Sequence, residues 1–277
     1  MAVDLDWTAL AAAAASLDER LSGDFEAVDA PDGEARAAAA LDLWVEAATA
    51  GDRARFARML TRRGLDIRAV RPLLGPVRLK PDCALPGWID QARPLLAALM
   101  AGNDGGRPCP AAARAGIPFA DLLWPAVVEA RRARGEPPAG LMSDAALEAL
   151  DLSLLRGLSE VTGRSLFDSF DFYRRAGGGP AAGAPEGFGL AAGFAGALRE
   201  GPLLNLIAAR PVMLRLAATV RGQWVAAMGA FLARLAVDGA RLERFLGAPA
   251  GMGGAGPVVA VDTDLSDPHE GGQRVMV

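Results

Sequence analysis

The sequence predicts a mainly α protein, in which a helical, bundle-like region is followed by a β-hairpin. Apolar residues recur three and four positions apart through most of the chain, which is the period of an amphipathic helix. Clusters of glycine and proline separate these periodic segments. After Pro257 the pattern changes to short β-branched runs around a polar turn, as in paired strands. We therefore predict a helical region over 1–246, a Gly-rich linker over 247–256 and a hairpin over 257–277.

Four segments that are rich in alanine and arginine carry the helical period in the first half of the chain. They are Trp7–Leu21, Glu34–Ala50, Arg53–Arg63 and Phe119–Arg134. Gly64 follows the third segment and is a suitable helix stop, since glycine adopts the left-handed conformation without steric cost.

A longer helix is predicted to begin after Ser143, which is a good N-cap, and to run to about Arg175. One face of this helix is apolar along its first half. The residues of that stripe are Leu147, Leu150, Leu154, Leu158 and Val161.

The segment Val212–Leu246 has the clearest helical pattern in the chain. Its apolar stripe comprises Val220, Trp224, Met228, Phe231, Leu235, Leu242 and Phe245. Asp238 falls on the same stripe, with Arg234 and Arg241 within helical reach. A buried carboxylate needs a partner, so we interpret Asp238 as part of a structural salt bridge. A role in peptide or nucleotide binding is the alternative.

Four connectors rich in glycine and proline are predicted to form turns or soft linkers. They are Gly102–Pro118, Gly135–Gly140, Gly177–Gly187 and Gly247–Pro257. Cys83 and Cys109 lie in proline-rich connectors, and His269 is the only histidine. Two thiols and one imidazole are too few for a four-ligand zinc site or a disulfide framework, so we expect no metal site.

Composition excludes several functional classes. The 277 residues are 52% hydrophobic and 22% charged, which is typical of a globular protein with a sizeable core. A net charge of −4 argues against a mainly electrostatic nucleic-acid binder. The most apolar stretch, Gly201–Leu214, is interrupted by Asn205, Arg210 and Pro211, and the acidic N-terminus differs from a signal peptide. We therefore expect a cytoplasmic protein without nucleic acid or a transmembrane segment.

The run Asp262–Arg274 concentrates the groups that can handle phosphate. Gly271 and Gly272 let backbone N–H groups approach an anion, because no Cβ atom is in the way. Arg274 can add a planar cation, and Asp267 with His269 can move a proton or orient a metal-bound phosphate. The GxxxxGK[ST] pattern of a Walker A loop is absent. An ordinary exposed turn is the alternative interpretation.

Several motifs resemble a known family in the same order. The run Leu265–Val275 (LSDPHEGGQRV) resembles the hairpin of the N-terminal dehydratase domain of class II lanthipeptide synthetases, the LanM type. Gln273 departs from the arginine that the family often has there, although Arg274 is adjacent. The upstream segments that also resemble the family are Pro118–Val127, Leu141–Glu148, Leu154–Ser159, Arg210–Leu216 and Phe231–Asp238. The resemblance extends over roughly Trp7–Val277.

The resemblance implies a two-step modification of a precursor peptide. Members of the family phosphorylate Ser and Thr with ATP and Mg²⁺ and then eliminate the phosphate, and a separate C-terminal zinc domain closes thioether rings. It implies a lipid-kinase-like fold, with 1–246 as a helical elaboration and the small lobe beginning near residue 257. Asp267 and His269 match the family's functional aspartate and histidine. The residues implied in nucleotide or phosphate binding are Ser266, Gly271, Gly272 and Arg274.

The residues required for phosphoryl transfer are incomplete in this sequence. The only lysine, Lys80, lies far before the hairpin, and no second histidine follows His269. We therefore expect the chain to be the front part of a longer synthetase, inactive alone, whose partners are a precursor peptide and the rest of the same polypeptide. A helical peptide-binding scaffold without catalysis is the main alternative. A small phosphate-binding protein that uses the hairpin alone is the other.

Overall fold

The structure is a computed structural model that describes residues 5–103, 107–184, 187–245 and 257–263. Within these residues the protein is mainly α, as predicted, with twelve α-helices and one pair of short strands. The chain divides into two compact units, residues 1–89 and residues 90–277. The division falls in the first turn of the helix Trp88–Ala101.

The first unit combines short helices with the strand pair. Its helices are α1 Trp7–Ala13, α2 Leu17–Leu21, α3 Gly33–Thr49, α4 Arg53–Arg62 and α5 Ile67–Val70, followed by a 3₁₀ helix over Arg71–Leu74. Strands β1 Phe25–Ala27 and β2 Val77–Leu79 pair antiparallel, with Phe25 opposite Leu79. One apolar cluster lies between α3 and α4 and contains Phe56 and Leu60. A second cluster joins α1 to the strand pair through Ala12, Phe25 and Leu79.

The second unit is a packed set of helices. They are α6 Trp88–Ala101, α7 Ala111–Gly116, α8 Ala120–Arg134, α9 Asp144–Arg175, α10 Gly189–Arg199, α11 Pro202–Ala209 and α12 Pro211–Phe245. The long helices α9 and α12 pack against each other, and both pack against α8. The centre of this core is fully buried and comprises Trp124, Leu150, Leu154, Leu155 and Leu158.

The predicted long helices are confirmed, and most of their described stripe residues are buried, whereas Val161, Val220 and Phe231 are half-buried. α9 begins after Ser143, whose side chain accepts a hydrogen bond from the Ala146 N–H, and ends at Arg175. In α12 the stripe residues Trp224, Met228 and Leu235 are buried. The side chains of Leu242 and Phe245 lie outside those that the structure describes.

Two sequence predictions were wrong in detail. The segment Trp7–Leu21 is two helices, because Ser16 forms a capping box with Glu19 and starts α2. The connector Gly102–Pro118 contains helix α7, so it is not wholly a turn or linker. The Gly-rich connector after α9 is anchored where it is described, since the Tyr173 hydroxyl donates to the Gly179 carbonyl at 2.6 Å.

Among the described residues, no single helix is long and apolar enough to cross a membrane. Helices α11 and α12 satisfy the length and composition criteria only as a pair, and the chain bends by 96° between Pro202–Ala209 and Pro211–Asp238. This bend coincides with Arg210 and Pro211, the residues that interrupt the apolar stretch in the sequence.

Candidate functional site

The residues predicted to handle phosphate all lie outside the described residues. They are Ser266, Asp267, His269, Gly271, Gly272 and Arg274. The strand predicted over Val275–Val277 and the linker 247–256 also lie outside them. The structure does place Pro257–Thr263, the segment that leads into the run Leu265–Val275.

The segment Pro257–Thr263 is attached to the beginning of α9 by backbone hydrogen bonds. Val258 forms a parallel bridge with Met142. The Val258 N–H donates to the Leu141 carbonyl at 3.0 Å, and the Ser143 N–H donates to the Val258 carbonyl at 2.9 Å. The β-branched run after Pro257 therefore begins as an extended segment that pairs with the residues just before α9.

Ser143 connects this segment to the helix through a single hydroxyl. Its Oγ accepts the Ala146 N–H at 3.2 Å and thereby caps α9. The same hydroxyl donates to the Val259 carbonyl at 3.2 Å. The N-terminus of α9 is therefore the point at which the chain that leads to the predicted motif is attached to the helical unit.

A buried charge cluster lies two turns along α9 and was not anticipated from the sequence. The Asp151 side chain is 2% exposed, and three arginines surround it. Its carboxylate lies 3.5 Å from Arg131, 3.9 Å from Arg107 and 4.0 Å from Arg134. These distances are too long for hydrogen bonds. Within the described residues, Asp151 Oδ1 and both Nη atoms of Arg134 have no hydrogen-bond partner.

The electrostatics of the cluster are dominated by burial. Removal from water raises the pKa of Asp151 to about 6, although the three arginines act in the opposite direction. Burial also lowers the pKa of Arg134, whose guanidinium carbon lies 5.3 Å from the centre of the Trp224 ring. The carboxylate and its nearest buried cation are therefore both destabilised in their charged forms.

Two more carboxylates form ion pairs with two of these arginines. Glu148 lies 3.3 Å from Arg107, and Glu136 accepts from the Arg131 Nε at 3.1 Å. The signal that sequence reasoning missed was an aspartate next to the leucine stripe of α9. Its partners come from α8 and from the loop between α6 and α7, so helical spacing alone could not reveal them.

A second buried ion pair stands on α12, at a different position from the one that the sequence suggested. The Arg221 side chain is 4% exposed and binds both carboxylate oxygens of Glu129, at 2.5 and 2.6 Å. It also donates to the Gln91 side-chain oxygen at 2.5 Å. Asp238 is only partly buried, and the Arg234 Nε donates to the Ala230 carbonyl at 3.2 Å. Asp238 is therefore not the buried carboxylate that the sequence predicted, and its salt bridge with Arg234 or Arg241 stays a prediction.

An apolar groove of about 420 Å³ lies between the C-terminal half of α9, α10 and α11. Phe172, Phe194 and Leu206 are among its lining residues, and the Phe172 side chain is largely exposed. Asp168 and Arg210 line the same groove, with their charged atoms 3.9 Å apart. The groove can accept a small number of apolar side chains beside this ion pair.

In the part of the chain that the structure describes, no three His, Cys, Asp or Glu side chains are grouped so that they could hold a metal ion. Cys109 is buried, and its pKa is raised to about 11 by desolvation, so its thiol stays protonated near neutral pH.

One comparison with known proteins gave a match. The family model named Domain of unknown function (DUF4135) matches residues 211–277, which begin with α12 and include the predicted motif. No curated protein and no solved structure matches. The matched region covers a minority of the chain, and it includes Pro257–Thr263, the segment that is attached to the start of α9.

Proposed function

We propose that this chain is the N-terminal part of a dehydratase of the class II lanthipeptide synthetase type. The observation that carries the proposal is the DUF4135 match over residues 211–277, because that family is associated with lanthionine synthetase-like proteins. The match contains the LSDPHEGGQRV run on which the sequence resemblance rests. The proposal therefore has two supports, the family match and the order of the motifs.

In this proposal, the reaction has two steps. The γ-phosphoryl group of ATP, with Mg²⁺, passes to the hydroxyl oxygen of a Ser or Thr in a precursor peptide, leaving ADP. The α-proton and the phosphate then leave, which gives dehydroalanine or dehydrobutyrine. Asp267 and His269 take the catalytic roles, and the residues assigned to nucleotide and phosphate binding are Ser266, Gly271, Gly272 and Arg274.

We propose further that the 277-residue chain does not carry out this reaction by itself. Phosphoryl transfer needs a cation on the phosphates and carboxylates on the metal. The only lysine, Lys80, donates to the Gly23 carbonyl within the first unit, and residues 90–277 contain no lysine. The remaining groups, and a zinc cyclase domain, would belong to another part of the same polypeptide.

The test uses the complete reading frame that contains this chain. The purified protein is incubated with Mg·ATP and peptides that contain Ser, Thr and Cys, and the products are analysed by mass spectrometry. We expect dehydrated peptide, preceded by an intermediate that is heavier by about 80 Da, the mass of one phosphoryl group. Asp267→Asn and His269→Ala should abolish dehydration, whereas Asp168→Asn in the groove should leave it unchanged. A complete protein that neither phosphorylates nor dehydrates any peptide would overturn the proposal.

A second candidate function is a helical peptide-binding scaffold without catalysis. The specific observation in its favour is the apolar groove with the exposed Phe172 between α9, α10 and α11. A scaffold predicts that Phe172→Ser weakens peptide capture, while Asp267→Asn and His269→Ala have no effect on any measured activity. The dehydratase proposal predicts instead that Asp267→Asn and His269→Ala abolish dehydration, whereas Phe172→Ser affects it less.

A further inference from the structure

Helix α4 exposes a row of arginines on the side opposite its buried residues. Arg55, Arg58 and Arg62 are all exposed, and we call these three residues the arginine face. Their spacing of three and four positions places them on one side of the helix. Phe56 and Leu60, each 1% exposed, fix the opposite side in the core of the first unit. The orientation of the arginine face is therefore determined by packing.

The arginine face has no internal counter-ion in the part of the chain that the structure describes. Two flanking arginines, in contrast, are paired, since Arg53 bonds Asp42 and Arg71 bonds Glu34. The nearest carboxylate on the same helix, Asp52, accepts the backbone N–H of Arg55 at 2.8 Å and caps α4. The guanidinium groups of the arginine face form no hydrogen bond or ion pair with any described residue.

This face stands out against the charge of the whole chain. The segment 53–71 contains seven arginines and one aspartate, whereas the chain as a whole has 29 basic and 33 acidic residues. The rest of the first unit, residues 1–52 and 72–89, has thirteen acidic and four basic residues, so a duplex, a long single strand or a membrane that extended past α4 would meet a net negative charge. A short acidic peptide would meet the arginines alone, because Arg55 to Arg62 spans only about 10 Å of helix axis.

We propose that the arginine face binds a short acidic segment of a partner polypeptide. Guanidinium groups suit this ligand, because each can hold a carboxylate through two parallel N–H donors. Carboxylates three or four residues apart on a helix, or two apart on an extended chain, match the spacing of the row. This inference does not depend on the proposed dehydratase function, because it uses only α4 and its surroundings.

The experiment measures binding of a fluorescein-labelled alternating Glu-Ala decapeptide by fluorescence anisotropy at low ionic strength. The variant combines Arg55→Gln, Arg58→Gln and Arg62→Gln, which removes three charges and keeps good helix formers. We expect the dissociation constant to rise about tenfold, since three exposed ion pairs are lost. Binding to the unaltered chain should also weaken when ionic strength is raised to about 0.15 M.

A matched control separates the arginine face from bulk charge. The triple variant Arg132→Gln, Arg174→Gln and Arg175→Gln changes the net charge equally at three exposed positions of the second unit. It should bind the decapeptide within about twofold of the unaltered chain, as expected for charges outside the contact. Equal weakening in both triples, or no binding by the unaltered chain, would overturn the proposal. Tighter α4-dependent binding to a single-stranded oligonucleotide or to phosphatidylserine vesicles would also overturn it.

Discussion

At the scale of single residues, the core contains a carboxyl group, that of Asp151, whose burial favours its neutral form. Asp151 faces three arginines, yet none approaches within hydrogen-bond distance, so Coulomb attraction does not offset the loss of water. The pKa of Asp151 is about 6 in the folded state, above its ordinary value near 4. Between these two values the folded protein holds a proton that the unfolded chain has released.

This shift predicts a pH dependence of stability. Neutral Asp151 contributes up to about 3 kcal/mol to the unfolding free energy, relative to the ionised form. This contribution is fully present below about pH 4 and is lost as the pH rises through 6. Asp151→Asn should remove this component, so the difference in unfolding free energy between the variant and the unaltered chain should change steadily from pH 4 to pH 7. Urea unfolding followed by circular dichroism at several pH values measures that difference.

The control for Asp151 lies on the same helix. Asp168→Asn removes an exposed aspartate of α9, so its effect on the unfolding free energy should be small and nearly constant with pH. If Asp151→Asn and Asp168→Asn gave the same pH profile, the burial of Asp151 would not be the cause of the pH dependence.

At the scale of secondary-structure elements, the start of α9 has two roles that depend on Ser143. The hydroxyl caps the helix and also donates to Val259, so removing it should loosen both. Ser143→Ala should lower stability by about 1 kcal/mol through the lost cap. It should also speed amide exchange in the peptide that contains Pro257–Thr263. Thermal unfolding and hydrogen–deuterium exchange read the two effects separately.

A second substitution at the same position distinguishes these roles. Ser143→Asp keeps an oxygen that can accept the Ala146 N–H but has no hydroxyl to donate to Val259. We expect it to restore most of the unfolding free energy while exchange in Pro257–Thr263 stays fast. Slow exchange in this variant would show that the side-chain hydrogen bond to Val259 contributes nothing to the attachment.

The sequence predicted the elements whose signals are local. Ser143 and the leucine stripe gave α9 its start and its buried face. Gly64 stops α4 as predicted, with a φ of 70°, and the Leu65 N–H returns to the Leu60 carbonyl at 3.0 Å. The pair β1 and β2 was missed, because each strand has only three residues and its partner lies about fifty positions away in the chain.

For the candidate site, the sequence could identify residues but not their arrangement. Ser266 to Arg274 could be identified as a phosphate-handling run, and these residues lie outside those that the structure describes. The Asp151 cluster and the Arg221–Glu129 pair were not predictable, because their partners come from different helices. Helical spacing could identify only partners on the same helix, such as Arg234 and Arg241 for Asp238.

At the scale of the whole molecule, each of the two compact units has its own hydrophobic core. In the first unit, Phe56 and Leu60 pack with Leu41 and Val45, and Trp44 meets Phe56 edge-on at 4.8 Å. In the second unit, Leu154 lies in the fully buried core to which α9 contributes. A substitution in one core should therefore act mainly on its own unit.

This independence can be tested with one cavity in each core. Phe56→Ala and Leu154→Ala should each lower the stability of their own unit by about 3–5 kcal/mol, because both side chains are fully buried and the lost contacts are not refilled. Hydrogen–deuterium exchange with peptide resolution reads each unit in the same sample. Phe56→Ala should speed exchange in α3 and α4 and leave α8 and α9 at the rates of the unaltered chain, and Leu154→Ala should do the reverse. Faster exchange throughout both units in either variant would show that the chain unfolds as a single cooperative body.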